Sequence, residues 1–211
     1  IEKARSIKRN IEYLRKRWKP PVQEVSIESS YDKKVQKAYF YPAKSTDPQP
    51  LVVSLHTWGT TYKKLDPVLS SNAVKHDWNY IFPDFRGVNN SPEAVGSEMS
   101  LSDINDAIGY CIENSNVDFD NIFIVGGSGG AYAALCFYSS TKYNINSYIA
   151  WSPITDLIAW HDQSLVRGTR YANDIKAATQ SADELNVNEA KKRSPLYRDF
   201  PQTDSKFYLF S

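Results

Sequence analysis

The apolar run Ile122-Phe123-Ile124-Val125 passes straight into Gly126-Gly127-Ser128-Gly129-Gly130 and then into Ala131-Tyr132-Ala133-Ala134-Leu135. This order predicts a buried strand, a tight turn and a helix with no connecting loop. Only small neighbours permit so sharp a reversal, and a serine stands at its apex. The G-x-S-x-G spacing lifts that serine oxygen above the sheet and sets it at a helix N-terminus, where negative charge is favoured. Charge of that sign develops on the carbonyl oxygen of an attacked ester or amide. The glycines have two other uses, a phosphate cradle or plain packing at a sheet–helix corner. The first lacks support, because neither G-x-G-x-x-G nor G-K-[ST] occurs.

The flanking sequence alternates strand and helix patterns, which predicts an α/β fold with a doubly wound, mainly parallel sheet. Glu24–Ser29 alternates as a strand, Tyr31-Asp32-Lys33-Lys34 turns the chain, and Val35–Tyr41 returns as the second strand of an antiparallel edge hairpin. Leu51–Leu55 reads as a buried strand. Leu65, Val68, Leu69, Ala73 and Val74 mark a helix face, and Tyr80-Ile81-Phe82 the next strand. Leu101, Ile104, Ala107, Ile108, Cys111 and Ile112 mark a longer helix, with Ser100 expected to cap it and Asp103 to complete a box-like start. Ile149-Ala150-Trp151 follows the elbow helix, and Lys206–Ser211 is a last strand-like run. Ligands bind such sheets at the carboxyl ends of the strands. Trp58, the Asp84–Gly87 loop and Trp151–Asp156 therefore share a rim with Ser128.

One domain is expected over residues 23–211, with a helical, cap-like segment at 157–195. An amphipathic helix within residues 1–22 is expected to pack on it. Its apolar positions Ile7, Ile11, Leu14 and Trp18 stand among basic residues, and Pro20-Pro21 ends it. A formal net charge of +1 gives no electrostatic footprint for nucleic acid. No stretch approaches the roughly 20 apolar residues that span a membrane. Cys111 and Cys136, the two cysteines, fall on apolar helix faces and read as core packing. With no C-x-x-C and no histidine cluster, neither a metal nor a cofactor is expected. The first residue is Ile1, which points to a processed or engineered start. Compartment stays open between cytoplasm and periplasm or secretion, and oligomeric state is unspecified.

Several stretches together resemble the prolyl-oligopeptidase-like branch of the α/β-hydrolases, which holds S9-type peptidases and acetyl-xylan-esterase-like carbohydrate esterases. They are Pro83-Asp84-Phe85-Arg86-Gly87, Val117-Asp118-Phe119-Asp120-Asn121-Ile122, the elbow, Trp151-Ser152-Pro153-Ile154-Thr155-Asp156-Leu157, and Lys192-Arg193-Ser194-Pro195-Leu196. The resemblance runs from about residue 50 to the end. It implies that Ser128 is the nucleophile and that the loop His56-Thr57-Trp58-Gly59 after the Leu51 strand supplies an oxyanion donor. Trp58 N–H would then act with Gly129 N–H. The sequence departs from the pattern at Asn121, where the family has Arg, and at Thr57, where it has Gly.

The fold's order of serine, acid, histidine leaves the base unassigned. His56 precedes the serine and reads as loop-shaping, and His161 falls too early. The chain is therefore expected to be C-terminally incomplete, with its catalytic Asp and His beyond Ser211. Asp156 admits a triad-acid reading from an earlier strand, against the structural or pocket-lining role that the resemblance gives it. Trp58 and Trp151 read equally as substrate platforms and as core lids. Asp84 and Arg86 read as substrate contacts or as an Arg–Asp pair fixing their loop. The leading expectation is a serine hydrolase acting through an acyl-enzyme on an ester, that of an acylated sugar included, or on a peptide. The other is a non-catalytic scaffold or binding protein of the same fold.

Overall fold

The computed structural model describes residues 21–211, so the amphipathic helix expected before Pro21 lies outside the described residues. Strands β1 (Gln23–Glu28) and β2 (Val35–Tyr41) form the expected antiparallel hairpin. Then come β3 (Gln49–Leu55), helix α1 (Pro67–Lys75), β4 (Asn79–Pro83), α2 (Glu98–Asn114), β5 (Val117–Gly127), α3 (Gly129–Tyr138) and β6 (Ser147–Trp151). Helices α4 (Leu157–Val166), α5 (Tyr171–Ala178) and α6 (Val187–Arg193) lead through a 3-10 turn at Pro195–Tyr197 to β7 (Lys206–Phe210). The sheet has 7 strands in the order β1-β2-β4-β3-β5-β6-β7. From β4 through β7 every pairing is parallel. The expected doubly wound, mainly parallel sheet is the one observed.

Side-chain alternation along the strands explains why helices cover both faces. Leu51, Val53, Leu55, Ile81, Ile122 and Ile124 point to the face packed by α2 and α3. Val52, Tyr80 and Phe82 point the other way, where Leu69, Ala73 and Val74 of α1 meet them. Helix α3 is buried at every one of its 10 positions, which suits a segment with no charged residue. Its Phe137, at 0% exposure, contributes about 1.5–3 kcal/mol by burial alone. Cys111 and Cys136 are unpaired and wholly buried in α2 and α3. Burial pushes both thiol pKa values up, that of Cys136 to about 11.

One capping expectation is corrected. Helix α2 begins a turn earlier than its apolar stripe suggests, and Ser97, not Ser100, is its N-cap. The Ser97 Oγ accepts from the Ser100 N–H at 3.1 Å. Asp103 is thereby inside the helix, where Arg86 claims it. The pair expected within the Asp84–Gly87 loop is likewise built differently. Arg86 donates from Nε to Asp103 at 2.6 Å and from Nη1 to Asp32 at 2.8 Å. The loop is thus stapled to the β1–β2 turn and to α2. Asp84 instead accepts the Gly87 N–H at 2.8 Å. At the departure Asn121, the amide still anchors Asp118, donating to it at 2.7 Å.

Candidate active site

Ser128 joins β5 to α3 with φ 52° and ψ −113°. For a residue with a side chain this backbone region costs about 1–3 kcal/mol. Close packing imposes it. A Cβ on Gly126 would lie 2.3 Å from the Gly130 carbonyl carbon, and one on Gly130 would lie 2.1 Å from the Leu55 carbonyl oxygen. Helix α3 is therefore pressed backbone to backbone on the ends of β5 and β3. The Ser128 N–H donates to the Trp151 carbonyl at 2.8 Å, and the Ser128 carbonyl accepts from Tyr132 at 2.9 Å.

The turn is tied down, but its hydroxyl is not. A serine at a helix N-cap ordinarily accepts from the first amides of the helix. Ser128 makes no such capping bond, and its residue is exposed. No hydrogen-bond partner for its Oγ occurs among the described residues. The oxygen is available to a ligand.

The loop after β3 meets the elbow at Trp58. A Cβ on Gly129 would lie 2.3 Å from the Trp58 amide nitrogen, so only glycine lets this loop come so close. The Trp58 N–H and the Gly129 N–H thus belong to touching segments beside the serine. The first amides of a helix have no intrahelical acceptor, and Trp58 N–H has no acceptor among the described residues. Two amides of this kind are what a developing oxyanion requires.

The Trp58 side chain turns away from the serine. It is 5% exposed, and its indole Nε1–H donates to Asp174 Oδ2 at 3.0 Å. Trp160 meets it edge-on with ring centroids 4.8 Å apart, and Tyr132 at 5.9 Å. Of the two open readings for Trp58, the packed one describes its ring. Trp151 is the opposite case, 60% exposed and stacked on Phe210 at 5.1 Å.

Two clefts open on Ser128. One of about 460 Å³ includes Thr57, Leu65, Asp66, Trp151 and Ser152 in its wall. The other, of about 490 Å³, is bordered by Ile154, Asp156, Trp160 and Arg167. Asp156 lies at the edge of this second cleft but is already engaged. Its Oδ1 caps α4 by accepting from Ile158 N–H at 2.8 Å, and its Oδ2 accepts from Tyr197 at 3.1 Å. That carboxylate in turn pushes the Tyr197 phenol pKa up.

Among the described residues no histidine hydrogen-bonds the Ser128 hydroxyl. His56 is 2% exposed and lies flat on Phe85 at 4.0 Å, with Nε2 3.6 Å from Asp84. Its Nδ1 lies 3.3 Å from the Thr57 carbonyl, within its own loop. His161 is buried on α4 with Nδ1 3.0 Å from Asp162, and His76 packs on Trp78 at 5.4 Å. Among the described residues no His/Cys/Asp/Glu group could hold a metal.

Sequence reasoning missed Asp174, Arg193 and Ser194 as organisers of this region. Arg193 Nη1 donates to the carbonyls of Pro92, Ala94 and Val95, and the Arg193 carbonyl accepts the Tyr132 hydroxyl. Ser194 Oγ accepts the Leu157 N–H at 2.9 Å at the start of α4. The K-R-S-P-L block held the clue, since an arginine and a serine before a proline are costly to bury without such partners.

No family model matches the chain, and no curated protein matches it. Solved structures do. A puromycin hydrolase superposes with a TM-score of 0.68 at 18% identity, over 85% of this chain and 29% of its own. The fold is that of an α/β-hydrolase. An acylaminoacyl peptidase in complex with Z-Gly-Gly-Phe-chloromethyl ketone gives 0.68 at 13% identity, over 90% of this chain and 36% of its own. The uncomplexed acylaminoacyl peptidase of Pyrococcus horikoshii gives 0.68 at 14%, over 95% and 38%. These relatives are of the S9, prolyl-oligopeptidase-like kind, and at such identities the likeness is one of fold. This α/β-hydrolase chain spans about a third of their length.

Proposed function

We propose that this α/β-hydrolase chain carries the nucleophile and oxyanion hole of a serine hydrolase that transfers an acyl group from an ester or amide to water. Ser128 Oγ attacks the carbonyl carbon, and the oxygen that gains charge is received by the Trp58 and Gly129 N–H groups. The N-terminus of α3 adds its dipole at the same point. Each correctly placed donor is worth about 10²–10³ in kcat. Collapse of the tetrahedral intermediate expels the alcohol or amine and leaves an acyl-serine, which water then cleaves. In this reading the proton goes to a histidine outside these 211 residues, oriented by a carboxylate also outside them.

The observation that carries the proposal is an exposed, uncapped serine at φ 52°, with the Trp58 and Gly129 amide segments packed against each other beside it. The two clefts suit the two sides of a scissile bond, with Trp151 and Asp156 at their borders as substrate-facing positions and α4–α6 as the cap above them. Ester hydrolysis, including of an acylated sugar, and peptide hydrolysis use the same steps here. The peptidases of similar fold favour the peptide, while the exposed Trp151 ring offers a platform for a sugar face. The second reading, a non-catalytic protein of this fold, draws on the lack of a histidine at Ser128 among the described residues.

A fluorophosphonate probe applied to the full-length protein separates the two. Covalent labelling that maps to Ser128 and disappears in Ser128→Ala is expected. A folded wild-type protein that takes up no label would leave only the non-catalytic reading.

A further inference from the structure

Asp174 stands 116 residues away from Trp58, on the first turn of α5, yet it holds the polar end of the Trp58 ring at 3.0 Å. The bond is of a strong type, because an indole N–H is only a donor and the acceptor is a carboxylate. It is also shielded, the Asp174 side chain being 14% exposed. Trp160 and Tyr132 fix the ring from two further directions, and Tyr171 stacks on Trp160 at 4.7 Å. One turn before Asp174, Arg170 lies over the next residue of the loop. Its Nη2 is 1.6 Å from where a Gly59 Cβ would stand, and its Nε is 3.7 Å from Asp174. Two successive residues of the loop, Trp58 and Gly59, are therefore held by two residues one turn apart at the start of α5.

We propose that Asp174 is a positioning residue of the oxyanion hole: by pinning the Trp58 indole it fixes the direction of the Trp58 main-chain N–H. This rests on the reading of Ser128 as a nucleophile. The loop has no strand or helix to stiffen it between Leu55 and Pro67, and Gly59 turns it through φ 76°. Side-chain anchorage must do what secondary structure does for the elbow. A ring flanked by Trp160 and Tyr132 and held at its nitrogen restricts the Trp58 rotamer, and with it the swing of its peptide plane. An oxyanion donor needs that constraint, since it acts at 2.7–3.1 Å and loses most of its effect when displaced by about 1 Å.

The test measures hydrolysis of p-nitrophenyl acetate and inhibition by phenylboronic acid, which mimics the tetrahedral intermediate, using the full-length protein. Asp174→Leu should lower kcat about 10–100-fold with KM changed less than about twofold, and weaken phenylboronic acid by a similar factor. Asp174→Asn, whose amide oxygen accepts the same bond, should stay within about threefold of wild type. Trp58→Phe, which keeps a smaller aromatic ring and loses the N–H, should match Asp174→Leu, and the double variant should be no worse than either. Should Asp174→Leu fail to fold, Trp58→Phe against Asp174→Asn decides the matter. An unchanged kcat in Trp58→Phe, a loss carried by KM, or an Asn variant as impaired as Leu overturns the positioning role alone. A wild-type protein no more active than Ser128→Ala overturns the nucleophile reading, and this inference falls with it.

Discussion

Ser128 is approached from two sides that are held by different means. On the elbow side β5 and α3 touch backbone to backbone, with glycines removing every side chain from the contact. On the loop side, Asp174 and Arg170 reach in to Trp58 and Gly59, and Arg86 reaches out from the Asp84–Gly87 turn to Asp32 and Asp103. The first arrangement is stiff and tolerates no added atom. The second is assembled only when the whole chain has folded, and it fails by loss of a partner. In the proposed reading the site needs both, because the attacking oxygen must be rigid while one oxyanion donor, the Trp58 N–H, is brought to it by the loop after β3.

Three measurements would break or sharpen that contrast. The largest effect is expected at Arg86→Met, which leaves Asp103 buried at 0% side-chain exposure without its cation. Breaking such a pair from one side costs about 3–5 kcal/mol. An unfolding free energy from chemical denaturation that falls by less than about a fifth of that would show the loop side not to depend on its polar anchors.

Gly130→Ala comes next. Its new methyl would meet the Leu55 carbonyl at 2.1 Å, backbone that cannot swing aside, and overpacking of this kind costs about 1–3 kcal/mol. Gly127→Ala is the control, since nothing lies within 4 Å of the added carbon and the change should stay within about 0.5 kcal/mol. Equal melting temperatures for the two variants would remove the claim that packing, not glycine as such, sets the elbow.

The smallest effect is a pH dependence. Hydrogen bonding to Arg86 holds the Asp32 carboxyl well below the usual carboxylate range, while burial pushes that of Asp103 up. The signs oppose. A depressed carboxylate adds stability above its unfolded pKa of about 4, and that contribution is lost as pH falls through the folded value. The raised Asp103 instead favours the folded state toward acid. Wild-type stability should therefore fall below about pH 4, and Asp32→Asn should flatten that limb while leaving the slope above pH 5 unaltered. A titration of unfolding free energy against pH with identical acid slopes would assign the acid loss to other groups.

The legible parts of the molecule follow the same division. Everything on the elbow side is local in sequence: a β-branched strand, a glycine-flanked serine and an uncharged helix lie within residues 122–138. The sheet's strands were legible for the same reason, through alternation and apolar runs. The start of α2 was misread because its apolar stripe begins a turn after its true cap. The partners of Arg86 lay hidden because 54 residues separate it from Asp32 and 17 from Asp103, and no local pattern links them. Asp174 gave no signal at all, being one acid in a helix first turn, where acids are common for reasons of the dipole.

The burial of Cys111 and Cys136 has a practical corollary. A thiol that is fully enclosed and reluctant to ionise is inert to maleimides and iodoacetamide under native conditions. A single cysteine introduced on α4 or α5 would then accept a fluorophore or spin label without competition from Cys111 or Cys136. Distances from it to a covalent probe on Ser128 would report where α4 and α5 sit relative to the elbow, with no need to strip Cys111 and Cys136 first.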